Sequence, residues 1–308
     1  MRASAFLPLV LAWAPALASG QDSAVFRSGV SLVHVDAEVV SADGRILTGL
    51  TGDDFRVLDE RMPQPIVHFS AGEESLDLIL LFDISLSMRA VTQRVAAAAK
   101  MGFRELKFGD RVAVMVFNTR TREIAPFTED LEAVARTLQT GVLTLRFGGG
   151  TLIQNAVDAA ALRFRSETQT ERRRAVLIVT DNMGVRTRRE STVVDDFWES
   201  DAILSGLIVS NPVFEAARML SPISLALQAG MKGIAEKTGG DAINAGDPET
   251  AFQEAIRRIR NRYSLYYALP EAKPGTARSI RVELAGDALK RFPKAQVRAR
   301  TGYIVPRR

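Results

Sequence analysis

Five oxygen-bearing side chains stand where chains of this kind build sites. Asp83, Ser85 and Ser87 form a D-x-S-x-S pattern directly after the apolar run Leu76 to Phe82. Gly148, Gly149 and Gly150 deliver Thr151 to the start of a helical pattern, and Thr180-Asp181 ends a second apolar run. Together Asp83, Ser85, Ser87, Thr151 and Asp181 offer two carboxylates and three hydroxyls, with no nitrogen or sulfur donor. Such a set suits a hard, six-coordinate cation: Mg²⁺ first, with Mn²⁺ or Ca²⁺ as alternatives. Hydroxyls spaced i, i+2 can face one ion from a loop while the aspartate is anchored in the strand. Three glycines let the backbone turn tightly enough for Thr151 to enter.

Composition narrows the chemistry further. The 308 residues include no cysteine and two histidines, His34 and His68. That excludes thiolate zinc, iron–sulfur clusters, a cysteine nucleophile and a disulfide scaffold, and leaves a Ser-His-Asp triad almost nothing to draw on. Metal chemistry in this chain must be done by oxygen. The glycine triplet is not a phosphate-binding P-loop, because no Gly-Lys-Ser/Thr follows it.

The elements that must position these residues read as strands alternating with helices. Residues 76–82, 111–117, 174–181 and 203–210 are short, nearly continuous apolar runs, as expected of strands buried on both faces of a parallel sheet. Residues 121–127 suit a short edge strand. Helical patterns cover 88–107, 129–140, 152–165, 223–237 and 248–262. The expected fold is therefore α/β: a doubly wound, mostly parallel sheet with helices on both faces. In such sheets the functional crevice lies beyond the carboxyl ends of the strands, where Asp83 and Asp181 sit.

The D-x-S-x-S loop, the GGT-type threonine and the TD at a strand end, in this order and spacing, resemble the metal-ion-dependent adhesion site of von Willebrand factor type A domains. LILLFDISLSM, RVAVMVF and RAVLIVTD resemble that family's first, second and fourth strands, and the likeness covers about residues 75–262. The whole chain further resembles bacterial secreted proteins that carry a type A-related domain after a GLT-x-DDF-x-V segment (Gly49 to Val57) and before a tyrosine-rich strand and a TGY (Thr301 to Tyr303). The resemblance implies a Rossmann-like fold and a site whose last metal position is filled by a carboxylate from a protein partner, an adhesion surface rather than a catalytic centre. Leu86 stands where the family usually has a small residue, and Asn182 where TDG is common. Arg89, Arg146, Arg186, Arg188 and Arg189 lie close in sequence to the three loops. They read either as a cationic rim favouring an acidic ligand or as a solvated basic face.

Outside residues 75–262 the chain divides by charge. Residues 1–20 have a basic start, an apolar run from Ala5 to Leu17 and an Ala-x-Ala end, a secretory signal peptide that implies a secreted or periplasmic product. No later run is long enough to span a bilayer. Residues 21–74 carry net charge −6 and residues 263–308 net +7, within an overall +4. Residues 31–40 alternate as a half-buried strand, with Val33, Val35, Ala37 and Val39 on one face and His34, Asp36 and Glu38 on the other. Tyr263, Tyr266 and Tyr267 read as sheet core. Each flank has too few strands to be stable alone, so the two are expected to pair as one small β module. The run Arg172 to Arg174 reads as a solvated helix end, and no nucleic-acid role is expected.

Three functions compete at this point. The leading one is a metal-dependent binding module that holds an acidic protein ligand. In the second, a structural protein of envelope assembly, the metal only stabilises the loops. The third is a Mg²⁺-dependent hydrolase or phosphotransferase, which is disfavoured: Ser85 occupies the position of a second acid, and no histidine or lysine lies near the loops as a base. No catalytic residue is assigned.

Overall fold

A computed structural model describes residues 31–167, 171–209 and 229–307. The expected leader and residues 223–228 of the expected helix 223–237 lie outside them.

The centre is a six-stranded sheet. Its strands are β5 (Leu76–Asp83), β6 (Arg111–Phe117), β7 (Thr121–Thr128), β8 (Arg173–Thr180), β9 (Ala202–Val209) and β10 (Ala242–Ala245). Their order is β10-β9-β8-β5-β6-β7, parallel throughout except for the antiparallel β6–β7 pair. Every residue of β5 and β8 is buried. Alternation along β5 sends Leu78, Leu80 and Phe82 to one face and Ile79 and Leu81 to the other. Helices α1 (Arg89–Ala97), α2 (Ala99–Phe103), α3 (Leu131–Arg136), α4 (Val142–Thr144) and α8 (Pro248–Arg260) cover the first face. Helices α5 (Ile153–Arg165), α6 (Glu190–Glu199) and α7 (Met231–Thr238) cover the second. This is the doubly wound fold that the alternating pattern implies.

Both chain flanks enter a β sandwich. One of its sheets has the order β13-β1-β11-β4, using β1 (Leu32–Val40), β4 (His68–Ala71), β11 (Tyr263–Ala268) and β13 (Gln296–Ala299). The other runs β14-β12-β2-β3, using β2 (Phe55–Asp59), β3 (Met62–Gln64), β12 (Ala277–Leu284) and β14 (Gly302–Ile304), with α9 (Gly286–Arg291) beside it. Val33, Val35, Val57, Leu265, Tyr267 and Val282 pack between the sheets. Asp59 is fully buried there and accepts hydrogen bonds from Tyr267 and Tyr303 Oη, both at 2.9 Å, and from Arg278 Nε at 2.8 Å.

Four sequence expectations change. The helix over 88–107 is two helices. The chain turns at Ala98 so that Gly102 lies against α8, where a Cβ would come within 2.8 Å of the Phe252 ring. The strand over 297–305 is interrupted, its halves β13 and β14 belonging to different sheets. The polar face of β1 is not solvated: Asp36 and Glu38 are buried against the base of the central sheet. Nor is the Arg172 to Arg174 run a solvated helix end. Arg173 is fully buried at the start of β8, where its Nε donates to both oxygens of Asp36 at 3.1 Å. Arg172 donates to Asp77 at 2.5 Å. These basic residues meet acids from elsewhere in the chain, which is why a local reading of charge placed them in water.

Candidate metal centre

The oxygen cluster sits at the carboxyl ends of β5 and β8. Asp83, the last residue of β5, is fully buried. Its backbone carbonyl accepts from Thr92 Oγ1 of α1 at 2.9 Å. Its Oδ1 accepts from the Ser85 backbone N–H at 2.8 Å, and its Oδ2 from Thr180 Oγ1 at 2.8 Å. Ser85 and Ser87 bring their hydroxyls to 3.2 Å of each other, and Ser87 Oγ donates to Asp181 Oδ2 at 2.7 Å. Thr151 lines the same cavity as Ser85, Ser87 and Asp181. The structure thus brings four of the predicted residues into one chain of hydrogen bonds, with Thr151 at the cavity that Ser85, Ser87 and Asp181 border.

Two glycine-dependent turns shape the cavity. Gly148 and Gly149 have φ of 150° and 79°, values that residues with a Cβ rarely adopt. Asn118, just past β6, fixes this loop: its Nδ2 donates to Gly148 O at 3.0 Å and its carbonyl accepts from Leu152 N–H. The loop after β8 approaches so closely that a Cβ on Gly184 would lie 2.7 Å from the Thr151 carbonyl. Asn182, at φ 58°, tolerates the left-handed turn that a glycine would otherwise provide. Gln154 Oε1 holds the far end of that loop by accepting from the backbone N–H groups of Thr187 and Arg188, both at 2.8 Å. Thr92, Asn118, Gln154, Thr180 and Gly184 were not singled out from sequence. Only Thr180, beside Asp181, stood in a motif already read.

The electrostatics fit a cation. Burial pushes the Asp83 carboxyl up to about 6, and the Asp181 charge adds to this, against the hydrogen bonds from Ser85 and Thr180. The partners of these two carboxylates are hydroxyls and backbone amides. A buried carboxylate without a cationic partner is costly, and a divalent ion among oxygen donors relieves that cost.

The arginines near the loops do not line the cavity. Arg89 stacks over the Phe147 ring at 5.4 Å, Arg188 pairs with Asp158, and Arg186 turns toward Gly230. Arg146 is exposed. The cavity wall is instead largely apolar, formed by Leu86, Met183 and Val185.

No curated protein matches the chain. Similar solved structures include an aerotolerance-related membrane protein from Bacteroides fragilis (18% identity, TM-score 0.46) and BatB from Bacteroides thetaiotaomicron (19%, TM-score 0.46). Each of these comparisons covers 60% of this chain and 98% of the other. A von Willebrand factor type A protein from Catenulispora acidiphila (12% identity, TM-score 0.46) covers 91% of this chain and 76% of its own. Residues 78–184, from β5 through the loop after β8, match the family model of the von Willebrand factor type A domain. That segment carries the oxygen cluster at the carboxyl edge of the central sheet, and it is similar to a von Willebrand factor type A domain.

Proposed function

We propose that this chain is a secreted or periplasmic protein-binding module that uses a divalent cation, Mg²⁺ in the first place, to hold an acidic group of a protein partner. The observation that carries the reading is the hydrogen-bonded chain Asp83–Ser85–Ser87–Asp181, of which Ser85, Ser87 and Asp181 border one cavity with Thr151 while Asp83 lies buried behind them. Asp83, Ser85, Ser87, Thr151 and Asp181 would hold the ion, with Mn²⁺ or Ca²⁺ as substitutes. When bound, the ion supplies a positive centre that accepts a carboxylate oxygen from the partner. The chain's own residues supply the rest. Thr180 and the Ser85 amide orient Asp83, Asn118 and Gln154 fix the two loops, and Gly184 lets them meet. Export rests on the leader pattern of residues 1–20. Among the described residues no helix is long and apolar enough to cross a membrane. We assign no catalytic role.

The second reading, in which the metal only stabilises the loops, separates from the first in one experiment. Wild type and Asp83→Ala are titrated with Mg²⁺ by calorimetry, and each is used to capture partners from an envelope fraction with Mg²⁺ or with EDTA. Loss in Asp83→Ala of both the calorimetric signal and the Mg²⁺-dependent capture is expected. Capture that persists in Asp83→Ala or in EDTA overturns the metal-bridge reading.

A further inference from the structure

The cavity in front of the oxygen cluster, about 460 Å³, has a two-part wall. Its polar part is the cluster itself. Leu86, Met183 and Val185 make up the rest, with Gly149 and Gly184 between. Leu86 is 67% exposed and Val185 56% exposed, two large apolar side chains left in water on one rim. Isolated exposed leucines need no explanation, but two beside one polar cluster make a patch of mixed chemistry.

Local folding does not ask for these residues. Leu86 opens the 3₁₀ turn Leu86–Met88, between the two serines of the cluster, and Met88 rather than Leu86 enters the core. A small or polar residue would serve the turn equally well. Val185 follows Gly184 in the loop that must come close to Thr151, and it packs into neither face of the central sheet. Both side chains border the opening through which a ligand reaches the cluster. Among the described residues the basic side chains named above do not line the cavity, so its polar contacts come from the cluster and its apolar contacts from Leu86, Met183 and Val185.

We propose that the site selects an acidic side chain flanked by a large apolar one, in an exposed segment of a partner protein. The carboxylate faces the oxygen cluster, and the apolar neighbour covers Leu86, Met183 and Val185. This rests on the cation-holding reading of the cluster and adds the specificity to it. Covering apolar surface favours binding by about fourfold per methylene removed from water, so one leucine-sized neighbour separates ligands that a metal and a carboxylate alone treat alike.

Three blocked peptides test it: acetyl-Leu-Asp-Leu-amide, acetyl-Ser-Asp-Ser-amide and acetyl-Leu-Asn-Leu-amide. Each is titrated by NMR into the full-length protein in Mg²⁺ and in EDTA. In Mg²⁺ the leucine–aspartate peptide is expected to bind at least tenfold more tightly than the serine–aspartate peptide, and the asparagine peptide not measurably. In the double variant Leu86→Ser, Val185→Ser this ratio should fall to near one, while Mg²⁺ affinity and the serine–aspartate affinity stay as in wild type. Both positions are exposed, and a thermal melt confirms that the variant is folded. Equal Mg²⁺-dependent affinity of the two aspartate peptides for wild type overturns the specificity and leaves the metal bridge standing. Binding that is the same in Mg²⁺ and EDTA overturns the metal bridge, and this inference with it.

Discussion

The two ends of the central sheet treat buried carboxylates in opposite ways. At the amino ends of the strands, acids are matched by the chain's own cations. Asp77 is held by Arg111 at 2.6 and 2.9 Å and by Arg172 at 2.5 Å. Asp110 pairs with Arg260 at 2.8 Å, and Asp36 with Arg173. At the carboxyl ends, Asp83 and Asp181 are held by hydroxyls and amides. The first end is a closed joint that fastens the β sandwich to the sheet. At the second, the hydrogen bonds seen among the described residues come from hydroxyls and amides in place of arginines. One residue type gives a structural weld at one end and a cluster of oxygen groups at the other, and the difference lies in whether arginines or hydroxyls are built beside it.

The largest expected effect breaks the joint. Arg173→Ala removes the closer of the two arginines beside Asp36 and leaves Arg262 at 3.8 Å, so the loss is expected at or below the about 3–5 kcal/mol of a broken buried ion pair. Urea unfolding at neutral pH should show that loss, and a change below about 1 kcal/mol would mean that the joint carries little of the stability.

A smaller effect, of opposite sign at the two ends, follows from pH. Asp83 in the metal-free protein is raised from an ordinary value of 3.8 to about 6, chiefly by burial. The folded state therefore binds this proton more tightly than the unfolded chain. Stability in EDTA should fall as pH rises from about 4 to about 6, on the order of 3 kcal/mol in all. Asp83→Asn should abolish this slope, and so should saturating Mg²⁺. Asp36 behaves conversely. Burial raises its carboxyl, but the Arg173 and Arg262 charges and the Arg173 hydrogen bond bring it below 3.8. Its contribution is complete above that value and is lost as pH falls below it. Guanidinium melts across pH in EDTA, on wild type and Asp83→Asn, read both, and identical profiles would dissolve the contrast between the two ends.

The smallest effect concerns the arginines near the loops. Arg146 is exposed and outside the cavity, so Arg146→Ser should slow capture of an acidic partner by less than about tenfold and only at low salt. Stopped-flow association at two ionic strengths measures this. An unchanged rate at low salt assigns Arg146 to the solvated basic face.

The site was more legible in the sequence than the joint. Asp83, Ser85 and Ser87 are neighbours, and Thr151 and Asp181 are each marked by a local signature at a strand or helix end, so their convergence followed from parallel-sheet topology alone. The partners of Arg173 and Asp36 lie 137 positions apart, and local patterning reports exposure only for surfaces that the rest of the chain leaves uncovered. Alternation along β1 correctly gave a strand with an apolar face, but it could not report that the polar face is also covered. The break at Ala98 was hidden for a similar reason, since it answers to the close approach of Gly102 and Phe252, a contact between distant segments.

The sandwich also has a mechanical consequence. Strand β1 is zipped antiparallel to β11 over six residue pairs and to β13 over four, while β14 is tied to β12. Residues 76–260, which carry the site, leave the sandwich after β4 and return to it at β11. The two ends of that segment are neighbours, because Ala71 of β4 is the register partner of Tyr263 of β11. The site-bearing segment is thus an insertion that leaves and re-enters the sandwich at adjacent points, so tension between the chain ends has a path through the strand ladders that does not cross the site.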